Sequence, residues 1–359
     1  MPETISSRAI TFSNWRDPLK LSTIEIPASP EENQVLVKTE AVSVNPIDII
    51  IRLFCPPWFF SSNKIVGGDF SGTVIKAGSK TTYKPSDKVY GSVFNPFGAT
   101  GSFSEYLLFD PQEATFCNKI PEGMPFTKAA ALPVVAGTAL QALEAHSEPL
   151  KDANVLILGA GTSIGYYAIQ IAKNYYGAKF VAATCSSKSF ERLIQAGASK
   201  LIDYTKGTTH EVNDILEAVK GHGKFDVVID IVRDGSLFGY LDAVLKPKSE
   251  GGMFVEINAM KKMDYNHLNL LSMAPSWTYL YEYYKSWLGF SSFQFTNISE
   301  VKDPQFGGVI EKLWGEGKLD VAIDSVWDFA TEYEKAFERV SSGKVQGKVM
   351  LTTGTSESE

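Results

Sequence analysis

The hydrophobic pattern changes character once along the chain, near residue 128. Upstream, Pro, Gly, Asn and Asp interrupt the sequence every few residues, and the apolar stretches are short and β-branched, as at 35–37 and 72–75. Such runs between turn formers predict antiparallel strands. Downstream, Ala-rich stretches with helical spacing alternate with apolar runs at 155–158, 180–183, 225–229 and 253–257. Largely apolar strands between helices predict parallel βαβ units, hence a doubly wound α/β sheet covered on both faces. Residues 290–296 alternate again like a strand, 301–359 return to mixed helix and strand, and 352–359 form a polar tail. The pattern therefore predicts a β-rich domain made of 1–127 and 298–359, with a doubly wound domain, 128–297, inserted into it. A chain of 359 residues is long enough to give each its own core.

Composition narrows the function classes. Hydrophobic residues at 44% and charged residues at 21% exclude wholesale disorder. With 34 Lys+Arg against 41 Asp+Glu the net charge is -7, and no basic run exceeds a pair, which argues against a nucleic-acid partner. Cys55, Cys117 and Cys185 form no C-x-x-C pair, so neither a disulfide scaffold nor an all-cysteine zinc site is expected. No apolar run reaches the roughly 18–20 residues of a membrane span, and the first residues lack an apolar leader core. The expectation is a soluble, cytoplasmic protein.

The strongest local signal is the run from Asn154 to Lys173, in which a buried strand enters Gly159-Ala160-Gly161-Thr162-Ser163-Ile164-Gly165 and continues as a helix. Backbone N–H groups and the dipole at such a helix start favour a pyrophosphate, which places Gly161, Thr162, Ser163, Ile164 and Gly165 at a dinucleotide. The third glycine of the G-x-G-x-x-G pattern is expected where Ile164 stands, and Gly165 comes one residue late. The same residues spell G-x-S-x-G, so a serine hydrolase with Ser163 as nucleophile stands as a second reading. Against it, the chain shows turn-rich β structure where a hydrolase needs βα units. After the second strand, where an acid would bind an adenosine ribose 2′-hydroxyl, stand Ser186, Ser187 and Lys188. Hydroxyls and a positive charge suit a 2′-phosphate, hence NADPH; the other reading makes Lys188 part of a solvated helix start.

At this point the sequence resembles the zinc-free medium-chain dehydrogenase/reductases, in particular the quinone oxidoreductase-like group, over nearly its whole length. The pieces that carry the resemblance follow in order: Asn45-Pro46-Ile47-Asp48 with Arg52, Gly67-Gly68-Asp69-Phe70-Ser71-Gly72, Asp87-Lys88-Val89-Tyr90-Gly91 and Gly101-Ser102-Phe103-Ser104-Glu105-Tyr106. Then come Ala129-Ala130-Ala131-Leu132-Pro133 with Gly137-Thr138-Ala139, the glycine loop, Ala196-Gly197-Ala198 with Ile202-Asp203-Tyr204, the run 225–230, and Gly347-Lys348-Val349-Met350-Leu351. The resemblance implies a Rossmann domain inserted into a GroES-like β-rich catalytic domain. It implies Asn45 and Thr138 beside the nicotinamide, Tyr204 with Ser186 and Lys188 around the 2′-phosphate, and further cofactor contacts at Val232, Ile257 and Lys348. Asp48 is assigned to orient Asn45 or Arg52, with a structural Asp48–Arg52 pair equally open.

Departures from the pattern are visible. Thr162-Ser163 replaces a glycine-rich stretch, Ile50 stands where many relatives have a tyrosine, and Val232-Arg233 stands where a glycine often follows the fourth Rossmann strand. Zinc-dependent cousins need a Cys or His near position 45 and a His-Glu pair near 68, but here Asn45, Gly68 and Asp69 occupy those places. No metal is expected. Without one, reduction of a quinone or an enone is the better-suited chemistry, because conjugation spreads the charge that arrives with the hydride.

The expected activity is zinc-independent, NADPH-dependent reduction of quinones or α,β-unsaturated carbonyls. The alternative is a nucleotide-binding protein with little turnover, acting as a sensor or interaction module. Aromatic side chains crowd 55–60 and 260–295. Rings in the first stretch suit either a quinone platform or core, and those in the second suit helix packing with a dimer edge or a lipid surface. A homodimer paired along the strand near 292–296 is expected, because its alternating Phe293/Phe295 face and lack of a charged gatekeeper leave an exposed edge. The resemblance to a fungal subgroup adds lipid-droplet association.

Overall fold

The computed structural model describes residues 3–14, 17–51, 64–95, 98, 100–233, 235–257, 275, 277–298 and 302–354. The first part of the chain forms β1 (Thr4–Phe12), β2 (Lys20–Pro27), β3 (Val35–Val44), helix α1 (Pro46–Ile50), β4 (Lys64–Ile65) and β5 (Asp69–Ala77). It continues through β6 (Lys88–Ser92), β7 (Tyr106–Phe109), β8 (Phe116–Lys119) and α2 (Phe126–Ala130). Helix α3 (Pro133–Glu144) then leads into β9 (Asn154–Leu158), α4 (Ser163–Gln170), β10 (Phe180–Cys185), α5 (Phe190–Gln195), β11 (Lys200–Asp203) and α6 (Thr208–His222). Next are β12 (Val227–Asp230), α7 (Leu241–Val244), β13 (Met253–Ile257), α8 (Trp277–Trp287) and β14 (Gln294–Ile298). The chain closes with α9 (Phe306–Gly315), β15 (Ile323–Asp328), α10 (Tyr333–Ser341) and β16 (Lys348–Thr352).

The strands sort into two architectures. Strands β11-β10-β9-β12-β13-β14 form a six-stranded sheet, parallel at every pairing. The order reverses between β9 and β12, and ligands of doubly wound sheets bind at the C-terminal ends of the strands beside such a reversal. A seven-stranded sheet, β15-β16-β3-β5-β6-β8 with β7 on β3, draws strands from both ends of the chain. Its β16 pairs antiparallel with β3, so the last strand of the chain lies beside the strand that ends at the Asn45 motif. This is a Rossmann-type sheet joined to a GroES-like β-rich domain.

Burial follows the strand pattern. All of β9 and β10 is buried. Val155 and Ile157 face the cluster under α3 and α4, whereas Leu156 and Leu158 face the cluster under α6 and α7, as the period of two requires.

The aromatic segment divides into a buried part and an exposed part. Phe293 is only 3% exposed, and Phe295 stacks on Phe254 with centroids 5.2 Å apart. Phe293 and Phe295 thus point into the core, while β14 remains the boundary of the sheet among the described residues. Helix α8 buries Tyr279 but leaves Trp277 85%, Tyr281 64% and Trp287 74% exposed, so its aromatic face does not pack on the second domain. Cys55, the rings at 56–60, Arg52 and Tyr265 lie outside the described residues.

Candidate active site

Asn45 ends β3 and caps α1, whose first residue, Pro46, needs no N–H partner. Its backbone N–H donates to Asp48 Oδ2 at 2.7 Å. Asp69, fully buried at the start of β5, accepts from Ser43 Oγ and from Asn45 Nδ2, both at 2.8 Å. Its other oxygen accepts the Val134 N–H at 3.1 Å, in the first turn of α3. Lys348, the first residue of β16 and 3% exposed, donates from Nζ to Asn45 Oδ1 at 2.5 Å. The same Nζ lies 3.5 Å from Asp69 Oδ2. One turn along α3, Thr138 Oγ1 donates to Val134 O at 2.6 Å. Segments scattered from residue 43 to residue 348 therefore meet in one buried polar cluster at the junction of the two domains.

The electrostatics of the cluster follow from its burial. Desolvation pushes the Asp48 carboxyl up to about 7, against the Asn45 N–H and the Lys348 charge. Asp69 is also raised by desolvation, with Lys348, Asn45, Ser43 and Val134 all working to keep it ionised. A buried ammonium between two buried carboxyls leaves each charge dependent on its partner, so deleting one strands the other. The Asn45 amide is consequently fixed, oxygen toward Lys348 and nitrogen toward Asp69.

The glycine loop lies at the end of β9. Gly159 has φ +85°, and a Cβ there would stand 2.3 Å from Val232 Cγ1. A Cβ on Gly165 would stand 2.4 Å from Ala160 Cα, so this late glycine is the one that lets helix and strand approach. Thr162 is the N-cap: its Oγ1 accepts from the Gly165 N–H at 3.2 Å and donates to Gly159 O at 2.9 Å. The first-turn N–H groups of Ser163 and Ile164 have no partner within a helix, which is the chemistry a pyrophosphate requires. Ser163 Oγ donates to Gly347 O at 3.1 Å. His210 pairs with Asp214, His222 stacks on Phe180, and His267 lies outside the described residues. Among the described residues the Ser163 hydroxyl is held by a backbone carbonyl, and the histidine that the hydrolase reading needs, His267, is not one of them.

At the adenosine end, Cys185 and Asp203 are in register as the last residues of β10 and β11. Ser186 and Tyr204 therefore leave the sheet side by side. Lys188 follows on an exposed 3-10 turn, and Tyr204 is 48% exposed. Ile257, buried, ends β13. Beyond β12, Asp230 Oδ1 accepts the N–H groups of Val232 at 3.0 Å and Arg233 at 2.7 Å. Those bonds hold Arg233 in the left-handed region at φ 56, a conformation that favours glycine.

Sequence reasoning quoted Asp69 within a motif but gave it no role, and it passed over Ser43 and Arg192. Arg192 Nη2 donates to Gly161 O at 3.0 Å, and its guanidinium lies 4.9 Å over the Tyr166 ring. A buried acid beside a glycine pair was the available signal for Asp69. Nothing in the spacing of α5 marks Arg192.

Residues 31–122 match the alcohol dehydrogenase GroES-like domain and residues 196–351 match the zinc-binding dehydrogenase family. Protein YIM1-2 of Lachancea thermotolerans is 32% identical over 364 residues, covering 98% of this chain and 99% of that protein. Protein YIM1 of Saccharomyces cerevisiae is 29% identical, covering 97% and 98%. The chain belongs to the medium-chain dehydrogenase/reductase superfamily. Among solved structures, the quinone oxidoreductase from Coxiella burnetii superposes with TM-score 0.76 at 26% identity, over 98% of this chain and all of that one. CurK enoyl reductase shares the fold, with TM-score 0.74 at 21% identity, over 96% and 99%.

Membership of this superfamily implies a nicotinamide cofactor, and the loop just described fits one. Zinc fits less well. Where zinc-dependent members place a Cys or His and a His-Glu pair, this chain has the Asn45 amide, Gly68 and Asp69; the carboxylate is kept, but it already accepts from Ser43, Asn45 and Val134 and faces the Lys348 ammonium, and the sulfur or imidazole donors are replaced. Those residues do not make a zinc site.

Proposed function

We propose that this medium-chain dehydrogenase/reductase is a zinc-independent, NADPH-dependent reductase of quinones or enones. The observation that supports it best is the Asn45–Asp69–Lys348 cluster, in which a lysine ammonium supplies the fixed positive charge that a metal supplies elsewhere. Hydride delivered to a conjugated acceptor places charge on an oxygen that conjugation and nearby donors stabilise without a Lewis acid. Asn45 and Thr138 border the nicotinamide end, Ser163 and Ile164 offer backbone donors to the pyrophosphate, and Ser186, Lys188 and Tyr204 border the adenosine 2′-phosphate. Val232, Ile257 and Lys348 complete the cofactor wall. Asp48 orients Asn45 through its backbone N–H.

NADPH oxidation against a panel of quinones and enones tests the reading. Turnover with at least one acceptor supports it. Binding of NADPH without turnover on any acceptor supports instead the sensor reading, which the helix cap by Thr162 favours because the capping hydroxyl already holds one loop N–H.

A further inference from the structure

The substitutions that set this glycine loop apart are themselves tied into the catalytic cluster. Ser163 Oγ reaches across the domain junction to Gly347 O, 184 positions away in sequence. Gly347 has φ +133° and a Cβ there would stand 2.7 Å from Ala322 O, so the chain turns tightly at this point. The next residue, Lys348, is fixed at both ends: its N–H donates to Ala322 O at 2.9 Å and its Nζ to Asn45 Oδ1 at 2.5 Å. Asn45 holds Asp69, Asp69 holds the Val134 N–H at the start of α3, and α3 packs along α4, the helix that Ser163 begins. These contacts close a ring from the pyrophosphate loop to the nicotinamide end and back.

We propose that Ser163 is a positioning residue that links cofactor binding on the glycine loop to the placement of Lys348 and Asn45. A pyrophosphate on the Ser163 and Ile164 N–H groups fixes the first turn of α4, and the Ser163 hydroxyl carries that constraint to the Gly347 carbonyl. A ring of rigid, mutually bonded parts transmits a restraint where separate contacts do not. This proposal rests on the cofactor reading above.

The test is a double-mutant cycle on the full chain with NADPH, read by titration of cofactor fluorescence and by the split between kcat and KM for the acceptor. S163A removes the hydroxyl and keeps the backbone N–H. Loss of one neutral hydrogen bond corresponds to roughly a fivefold weakening of NADPH, with kcat falling and acceptor KM unchanged. S163T, which keeps the hydroxyl, restores binding to within about twofold. K348M weakens NADPH by about tenfold, and adding S163A to K348M costs less than about twofold more, because the ring is already open. Additive losses, or failure of S163T to restore binding, overturn the proposal while leaving the cofactor reading intact. A wild-type protein that does not bind NADPH overturns both.

Discussion

Glu256 is a carboxyl in a strand whose other residues are apolar, 4% exposed, with Oε2 lacking a hydrogen-bond partner among the described residues. It lies in register with Asp230 on the neighbouring strand. Burial, with Asp230 adding to it, pushes the carboxyl up to about 8. A group whose folded value exceeds its unfolded value destabilises the fold as pH rises between the two, here from about 4.5 to about 8, and the loss is complete above that window. Glu256→Gln is therefore expected to be near neutral at pH about 4 and to stabilise by something on the order of 3 kcal/mol above pH about 8. Urea unfolding at those two pH values checks it. A variant equally stable relative to wild type at both would show that Glu256 titrates normally.

On the proposed reading, enone reduction ends with the delivery of a proton. The position at which many relatives carry a phenol holds Ile50, buried and with no proton to give. Tyr90 is 0% exposed in the core, with no hydrogen-bond partner for its hydroxyl among the described residues and its ionisation pushed upward by burial. We expect water to supply the proton, so that Phe at Tyr90, Tyr106 or Tyr204 singly lowers turnover by less than about a hundredfold. A larger loss at one of them, with NADPH binding retained, would identify that tyrosine as the acid.

At the scale of elements, the proposed preference for NADPH over NADH rests on the turn after β10. Lys188 sits on an exposed 3-10 turn beside Ser186, and no carboxylate ends β10, whose last residue is Cys185. A charge-assisted contact of about 1.5 kcal/mol at so exposed a site predicts that Lys188→Ala weakens NADPH about tenfold and leaves NADH nearly unchanged. Isothermal titration with both cofactors decides it, and equal losses would make Lys188 structural. What was legible in the sequence was local. The apolar runs at 155–158, 180–183 and 253–257 became β9, β10 and β13 because a strand buried on both faces needs no polar alternation. The strand expected over 290–296 formed later, at Gln294–Ile298, because Phe293 is drawn into the core before pairing begins. Asp69 and Ser43 were not legible as site residues, since their meaning comes from Lys348, which topology alone brings beside them. The odd residues at 162, 163 and 233 read as defects in a motif, yet each has a specific bond in place of the missing glycine.

On the scale of the whole molecule, the free edge of β14 and the exposed face of α8 lie next to each other. An edge with no partner strand among the described residues, beside exposed Trp287 and Phe290 at 74% and 76% accessible, is a surface that proteins normally cover. We expect a homodimer with the β14 edges paired, seen by light scattering as twice the 39.4 kDa chain. A 39.4 kDa particle that floats with phosphatidylcholine vesicles would assign the face to lipid instead. Among the described residues no helix is long and apolar enough to cross a membrane.

The central claim is that the lysine-held cluster at the domain junction supports hydride transfer without a metal. NADPH oxidation by protein exhaustively dialysed against a chelator, with quinones and enones as acceptors, tests it most directly. Full turnover by the metal-free protein, unchanged on adding zinc and abolished in K348M, is the predicted result. Activity that disappears with the chelator and returns only with zinc would contradict it.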